Sequence, residues 1–388
     1  MLSLKNQAAV AGIGCTEFSK NSGRSELSLA SEAVVAAAAD AGLPVSEIDG
    51  LVSYTLDPTD EIELARSVGA GDLTFYSKIN YGGGAAVGVV HQAVMAVATG
   101  QAKNVVVYRG MNGRSGQRNG QGVSGEIVTS DLVHWSWYQV YGMVTPGSWI
   151  AMIAHKYMHK YGLTAEDLGR VAISQRNYAL TNPRAFGYQK PLDMETYLAS
   201  KMIASPLRLY DFCQESDGAC ALLITSTERA RDLKQKPAVI RGITQASTQG
   251  QEQMTSFYRN ELESLPEMEL AAKRVYAQSG LSPADIDATC LYDAFSSEVI
   301  MQLESFGFCG KGEAKDFVRD GNLDIDGRLP NNTHGGLLSE AYIHGLNNVA
   351  EGVRLIRGTS TNQPKKAEHV LVSSGVGVPT GAVIFGKD

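Results

Sequence analysis

AGLPVSEIDGLVSY at residues 41–54 and SGLSPADIDATCLYD at residues 279–293 read as two copies of one phrase. Each runs from a helix end through a Gly-Leu turn and an acidic Ile-Asp pair into an apolar strand. The surroundings repeat as well. A strand-like run precedes each copy, AAVAGIG at 8–14 and PAVIRGI at 237–243. After each comes a glycine cluster, a helical stretch and a further strand: GGGAAVGVVHQAVMAVATG then NVVVYRG in the first half, GGLLSEAYIHGLNNVAEGVRLIRG then EHVLVSSG in the second. Alternating β and α segments imply sheets layered with helices. The β runs are short and nearly all apolar, as strands covered on both faces are. The chain therefore reads as a duplicated α/β protein.

Spacing within the first half sharpens this. Leu27, Ala30, Val34 and Ala38, with Leu29 and Ala36, make a broad apolar stripe. They predict a buried helix over residues 26–41, with Ser25 as its N-cap and Gly42 as its stop. Residues 111–205 match neither copy; the stretch is glycine-rich, then aromatic, and holds all three tryptophans, Trp135, Trp137 and Trp149. The predicted division is 1–233 for the first half, with that stretch as a loop insertion, and 234–388 for the second.

Composition narrows the function classes. A chain of 388 residues that is 44% hydrophobic and 19% charged can bury a large core. Its net charge of −7 and lack of a basic cluster argue against nucleic acid as a partner. No segment approaches the roughly 20 apolar residues that span a bilayer, and the start MLSLKNQAAVAGIG has no signal-peptide pattern. A cytoplasmic protein without a membrane span is expected. Five cysteines, Cys15, Cys213, Cys220, Cys290 and Cys309, are odd in number and never paired as CxxC. That pattern speaks against a disulfide framework or a structural zinc site, so reduced, mostly buried thiols are expected.

Several motifs carry two readings. GIGCTE (12–17) opens like a dinucleotide fingerprint, but Glu17 stands where the third glycine belongs. His155 and His159 share a helix face without the glutamate of a zinc protease, and read as helix surface rather than metal ligands. Gly82, Gly83 and Gly84 follow a strand and open a helix: their N–H groups can cradle an anion, or their bareness can let backbones pack closely. In LYDAFSSEVI, Tyr292 and Asp293 end a strand before a helix, where side chains project into a cleft at the sheet's carboxyl edge. NTHGGLLSEAYIHG adds His334, the turn glycines Gly335 and Gly336, and Tyr342 with His344 on the following helix. Taken singly, a tyrosine is more often a core or rim aromatic with a satisfied hydroxyl.

At these residues the chain resembles the thiolase superfamily, of the sterol-carrier-protein or lipid-transfer-protein type. The resemblance covers nearly the whole chain: the duplicated halves, the insertion, SDGACALLI (216–224) and the GGL…G block. It implies a five-layer αβαβα thiolase fold. In working members a nucleophilic cysteine starts the helix that here follows Gly82 to Gly84. A histidine-aspartate pair falls on Tyr292-Asp293, and the histidine of an HPxG-like motif falls on Tyr342. A second cysteine falls near Ser373 or Ser374. Without a thiolate at the first position no acyl-enzyme forms there.

FGFCGKGEAKDFV (306–318) and GRLPNNTHGGLLSEAYIHG (327–345) are further similar to the aldolases that shorten steroid side chains. That resemblance implies a carbon–carbon lyase acting on a β-hydroxyacyl-CoA steroid by retro-aldol chemistry, releasing propionyl-CoA or acetyl-CoA. Tyr292 and Tyr342 are then the proton-transfer pair, and His334 and the nearby backbone N–H groups are candidates for holding the thioester oxygen. Asp293 orients its neighbours or caps the next helix, and His344 is a further catalytic candidate. Gly82, Gly83, Gly84, Gly335, Gly336 and Gly375 would lie against the substrate and its CoA. No metal and no cofactor beyond the substrate's own CoA are expected. The implied partners are a second copy of the chain and a small OB-fold protein with a zinc ribbon. A thiolase-like acyltransferase and a non-catalytic lipid or acyl-CoA carrier stand as alternatives. The segment from Trp135 to Trp149 suits either a large apolar ligand or interface packing.

Overall fold

The computed structural model describes residues 3–80, 82–116, 118, 136–252, 255–377 and 379–388. Its strands are β1 (Ala8–Cys15), β2 (Gly50–Tyr54), β3 (Phe75–Ile79), β4 (Asn104–Asn112), the short pair β5 (Met202–Ala204) and β6 (Leu207–Arg208), β7 (Asp217–Ser226), β8 (Ala238–Ala246), β9 (Ala288–Cys290), β10 (His369–Ser374) and β11 (Thr380–Gly386). The helices that build the layers and the site are α1 (Glu26–Ala41), α2 (Ala85–Ala98), α3 (Pro146–Tyr161), α4 (Ala165–Ala179), α5 (Pro266–Ser279), α6 (Ser296–Ser305) and α7 (Leu346–Arg357).

The repeated phrase folds the same way twice. The Ser25 hydroxyl accepts from the Ser28 N–H at the head of α1, which ends on left-handed Gly42 (φ 72°) before a 3₁₀ turn at Val45–Glu47 and β2. In the second copy α5 ends on left-handed Gly280 (φ 72°) before a 3₁₀ turn at Pro283–Asp285 and β9. The aspartate of the Ile-Asp pair does one job in both copies. Asp49 accepts from the N–H groups of Lys103 and Asn104 at the head of β4. Asp287 accepts from those of Glu368 and His369 at the head of β10. A carboxylate thus fastens the start of each neighbouring parallel strand.

The strands form one nine-stranded order, β3-β2-β4-β7-β1-β8-β11-β10-β9. The two halves meet at β1 and β8 through two register pairs, Ala9 with Val239 and Val10 with Ala238. Period-two alternation sorts the side chains into layers. In β7, Ala219, Ala221 and Leu223 pack toward α1, whereas Cys220, Leu222 and Ile224 enter the central layer with α2 and α7. In β11, Val383 and Phe385 enter that same central layer, while Ala382 and Ile384 pack toward α5 and α6. The result is five layers: α1, the first half-sheet, α2 with α7, the second half-sheet, then α5 with α6. This is the αβαβα thiolase arrangement. Each fully buried leucine, isoleucine or valine of these layers contributes about 1.5–3 kcal/mol.

The structure departs from the sequence reading in a few places. β3 is an outer strand with alternating exposure, and Tyr76 is 61% exposed; unlike β9 at the other end of the order, which is buried throughout, it is not covered on both faces. Helix does not run through GGLLSEAYIHG. One turn, Gly336–Ser339, forms and stops at Glu340, and the left-handed His344 (φ 49°) and Gly345 (φ 82°) keep a right-handed helix from running through the following residues into α7. Tyr342 and His344 therefore sit in the loop ahead of α7. Two of the five free thiols, Cys220 and Cys290, are buried, and the other three are partly exposed. Cys15 and Cys220 face one another across β1 and β7 with sulfurs 3.1 Å apart.

Other readings resolve simply. GIGCTE begins inside β1, and a β-carbon on Gly12 or Gly14 would stand 2.1 Å from a carbonyl oxygen of α1, so these glycines seat the helix. His155 and His159 are exposed on α3. Among the described residues no helix is long and apolar enough to cross a membrane. The insertion supplies α3 and α4; Trp149 is buried with its Nε1 donating to the Met143 carbonyl at 2.7 Å, Trp137 is exposed, and Trp135 lies outside the described residues.

Candidate active site

Tyr292 follows β9 at the carboxyl edge of the second half-sheet, and its backbone is clamped on both sides. Its N–H donates to Ser373 Oγ at 2.9 Å and its carbonyl accepts from Gln302 Nε2 at 2.6 Å; Ser373 Oγ in turn donates to Gln302 Oε1. Tyr342 is held by its own N–H, which donates to Ser216 Oγ at 3.0 Å. So fixed, the two buried phenols meet oxygen to oxygen at 2.9 Å.

They meet beside the bare start of α2. A β-carbon placed on Gly83 would lie 1.7 Å from the Tyr292 hydroxyl oxygen and 2.3 Å from its Cζ, so the phenol occupies the volume a side chain at 83 would need. Gly84 is equally confined, its β-carbon position 1.9 Å from the Pro379 carbonyl. The C-terminal turn closes the same corner: Ser374 Oγ donates to the Gly84 carbonyl at 3.1 Å, and left-handed Gly375 (φ 66°) presses on Gly84. Gly82, Gly83, Gly84, Gly375, Tyr292 and Tyr342 are thus neighbours, and close packing is what Gly83, Gly84 and Gly375 provide.

His344 joins them. Its ring packs edge-on against Tyr342 with centroids 5.1 Å apart, and its Nε2 lies 3.5 Å from the β-carbon position of Gly82. Behind it stands a charge pair that the sequence reading did not include: Arg109 Nε donates to His344 Nδ1 at 3.0 Å, and Arg109 Nη1 lies 3.1 Å from Asp57. Tyr54 covers both, its ring 6.0 Å from that of His344 and 5.7 Å from the guanidinium.

Asp293, His334, Gly335 and Gly336 form a separate support. Asp293 accepts from the Leu338 N–H and from Asn348 Nδ2, so it orients its neighbours and does not cap α6, whose first turn is closed by Glu298 on the Phe295 N–H. His334 is not bonded to either phenol; its Nε2 pairs with Asn348 Oδ1 at 3.1 Å, near Glu340. Gly336 lies where a β-carbon would strike the Asp293 carboxylate at 2.2 Å, and Gly335 abuts Ala179 of α4.

The electrostatics follow from burial. Desolvation pushes the Tyr292 phenol well above the ordinary tyrosine range, and the neighbouring Tyr342 adds to this. Burial raises Tyr342 as well, followed by the influence of Cys213, while the hydrogen bond from Tyr292 draws it back. Both rest as neutral phenols. His344 is neutral too, driven well below the usual imidazole range by burial and then by the Arg109 charge. Burial lifts the Asp293 carboxyl to about 6 against the pull of Asn348 and the backbone N–H groups. The site therefore offers neutral donors and acceptors able to pass a proton between two points.

Residues 248–386 match the family described as thiolase C-terminal domain-like. Over the whole length, the chain is 56% identical to the steroid side-chain-cleaving aldolase of Thermomonospora curvata, covering 99% of each protein. It is 54% identical to the 17-hydroxy-3-oxo-4-pregnene-20-carboxyl-CoA lyase of Mycobacterium tuberculosis, covering 99% of this chain and 100% of that one. The chain belongs to the steroid side-chain-cleaving aldolases of the thiolase superfamily. Its fold superposes on the solved Ltp2–ChsH2(DUF35) aldolase with a TM-score of 0.96 at 56% identity, covering 100% of this chain and 99% of that one. The wider thiolase fold is shared with human mitochondrial 3-ketoacyl-CoA thiolase in complex with CoA, at a TM-score of 0.70 and 15% identity, covering 100% of this chain and 99% of that one.

Within this aldolase family site, Arg109, Asp57 and Tyr54 left faint marks in the sequence. Arg109 is the single charge in the otherwise apolar run NVVVYRG, and a charge in a strand buried on both faces requires a partner. Tyr54 stands in the first copy of the repeated phrase where Tyr292 stands in the second.

Proposed function

We propose that the chain cleaves the side chain of a steroid β-hydroxyacyl-CoA by a retro-aldol reaction, with Tyr292 and Tyr342 as the proton-transfer pair and no covalent enzyme intermediate. The observation that carries this reading is the 2.9 Å contact between two buried phenols at the place where Gly83 leaves no nucleophile. The chemistry is balanced within the substrate. The β-hydroxyl gives up its proton, the bond between the α- and β-carbons breaks, the electrons enter the thioester enolate, and a proton returns to the α-carbon. A pair of hydrogen-bonded phenols suits this accounting, since one accepts as the other donates. One phenol accepts the β-hydroxyl proton and the other donates toward the enolate carbon. CoA enters as part of the substrate and no further cofactor is called for.

The substrate class follows from the Mycobacterium tuberculosis relative. A hydroxyl on ring carbon 17 and a thioester borne on carbon 20 stand in the β relation that a retro-aldol requires. Cleavage between carbons 17 and 20 yields a 17-ketone and propionyl-CoA. Assembly with a small partner of the OB-fold, zinc-ribbon kind is supported by the name of the matched structure, which joins the aldolase to ChsH2(DUF35). Pairing of two copies through the outer strand β3, where Tyr76 is exposed, is the oligomer this reading favours.

The test is to incubate the chain and its partner with 17-hydroxy and longer-chain hydroxyacyl-CoA steroids and weigh the released CoA ester. Propionyl-CoA is expected from the first. Acyl exchange between acetyl-CoA and a second acyl-CoA in place of cleavage would overturn the reading in favour of an acyltransferase, and stoichiometric binding without product would favour a carrier.

A further inference from the structure

The lyase reading assigns the phenols and leaves the thioester oxygen without a side-chain partner, since His334 is taken up by Asn348. Among the described residues His344 is a further polar side chain at the glycine corner, and its position is unusual. It is left-handed (φ 49°), in a region where residues other than glycine are uncommon. The loop holds it there with Arg109 on one nitrogen and space at the other. Arg109 has no acceptor, so its Nε–H bond to Nδ1 requires that Nδ1 be the bare nitrogen and that Nε2 carry the hydrogen. Asp57 fixes Arg109 in turn, accepting from the Gly110 N–H as well as pairing with the guanidinium. Among the described residues the Nε2–H has no hydrogen-bond partner.

What it faces is the missing side chain of Gly82. A β-carbon there would stand 3.5 Å from Nε2 and 3.4 Å from Leu56 Cδ1, ordinary contact distances. Gly82 is thus not forced by crowding, unlike Gly83 and Gly84. Its bareness leaves a space about one atom wide, within reach of the ring N–H and one residue from the Tyr292 hydroxyl. We propose that His344, locked by Arg109 and Asp57 as the Nε2–H tautomer, donates to the substrate's thioester oxygen in the space beside Gly82, and that Arg109 and Asp57 are its positioning residues. A neutral ring backed by a guanidinium favours the form in which that oxygen gains negative charge, as it does when the carbon–carbon bond breaks. Proton traffic stays on the phenols, and His344 gives up no proton.

This inference rests on the lyase reading, and glutamine and glutamate at 344 separate it from a structural role. Both can accept from Arg109; glutamine alone offers an N–H to the site. With the partner complex present, His344→Gln is expected to keep kcat within about tenfold, while His344→Glu loses about 10²-fold or more in kcat with little change in KM. Gly82→Ala fits the fold, and is expected to keep the wild-type melting temperature while losing turnover comparably, because its methyl fills the oxygen's place. Arg109→Lys keeps the charge but not the Nε geometry; nitrogen NMR of the ring is expected to move from a pure Nε2–H signature to a tautomer mixture, with kcat falling. Equal activity of the glutamine and glutamate variants, or a fully active Gly82→Ala, overturns the inference. Absence of cleavage by the wild-type complex would instead bring down the lyase reading itself.

Discussion

Tyr54 and Tyr292 occupy the same place in the repeated phrase, one ending β2 and the other just beyond β9, yet they live differently. Tyr54 is fully buried, lies over Arg109 and His344, and its hydroxyl has no hydrogen-bond partner among the described residues. Tyr292 meets a second phenol and fills the volume beside a bare glycine. The paired aspartates, glycine stops and 3₁₀ turns are used alike in both halves, so duplication accounts for the scaffold. The candidate site is lopsided: the second half supplies Tyr292, Tyr342 and His344, and the first supplies the bare corner at Gly82 to Gly84 and the Arg109–Asp57 pair behind His344.

The sharpest way to break this contrast is to remove one hydroxyl. Tyr292→Phe and Tyr342→Phe should each cut kcat by about 10²–10⁴-fold, whereas Tyr54→Phe, which loses an unpartnered hydroxyl, should leave turnover and melting temperature near wild type. Comparable losses at all three positions would erase the distinction between the halves. A second test restores the thiol. Gly83→Cys should lower aldolase turnover and fail to trap an acyl group by mass spectrometry, because the phenol stands where the new β-carbon must go. Gly83→Cys combined with Tyr292→Ala should admit the thiol without the clash.

Acidity provides a third test, with activity and stability moving in opposite directions. The folded Asp293 carboxyl titrates at about 6 and the unfolded one near 3.9, so the folded state binds its proton more tightly. Through this group stability rises as pH falls from about 6 to 4, by about 1.4 kcal/mol for each pH unit between the two values. Turnover should fall over the same range, since a protonated carboxyl accepts less well from the Leu338 N–H and Asn348. Asp293→Asn should abolish the Asp293 part of both trends, measured as the difference between the two proteins in unfolding and in pH–rate profiles. The smallest effect sharpens the symmetry. Asp49→Ala and Asp287→Ala should each cost about 1–2 kcal/mol by denaturant unfolding, and similar values at the two sites would confirm that the repeated aspartate has one structural use.

Much of this could be read in the chain because it is local. The apolar stripe of α1, its Ser25 cap and its Gly42 stop are properties of consecutive residues, and they reappear in the structure at the expected positions. The tyrosines were found through the motif that contains them. Tyr342 and His344 were misplaced onto a helix, since the left-handed turn at His344 and Gly345 is imposed by tertiary contacts: Tyr342 on Ser216 and His344 on Arg109. Arg109 and Asp57 escaped notice for the same reason, and Ser373, legible as the place near a second cysteine, gave no sign that it clamps the Tyr292 backbone. Arg109 and Asp57 come from the opposite half of the chain to the ring they hold, and Ser373 from the last strand but one, far along from Tyr292; no spacing rule reaches that far. His334 attracted attention as a histidine in a glycine turn, but its partners Asn348 and Glu340 come from the loop and helix beyond that turn.

The overlap of Tyr292 with the side-chain position at 83 also makes the two positions interdependent. A side chain at 83 and a phenol in the present place of Tyr292 compete for one volume, so one must move to admit the other. Substitutions at 83 and 292 are therefore expected not to add, because what one position tolerates depends on which residue stands at the other.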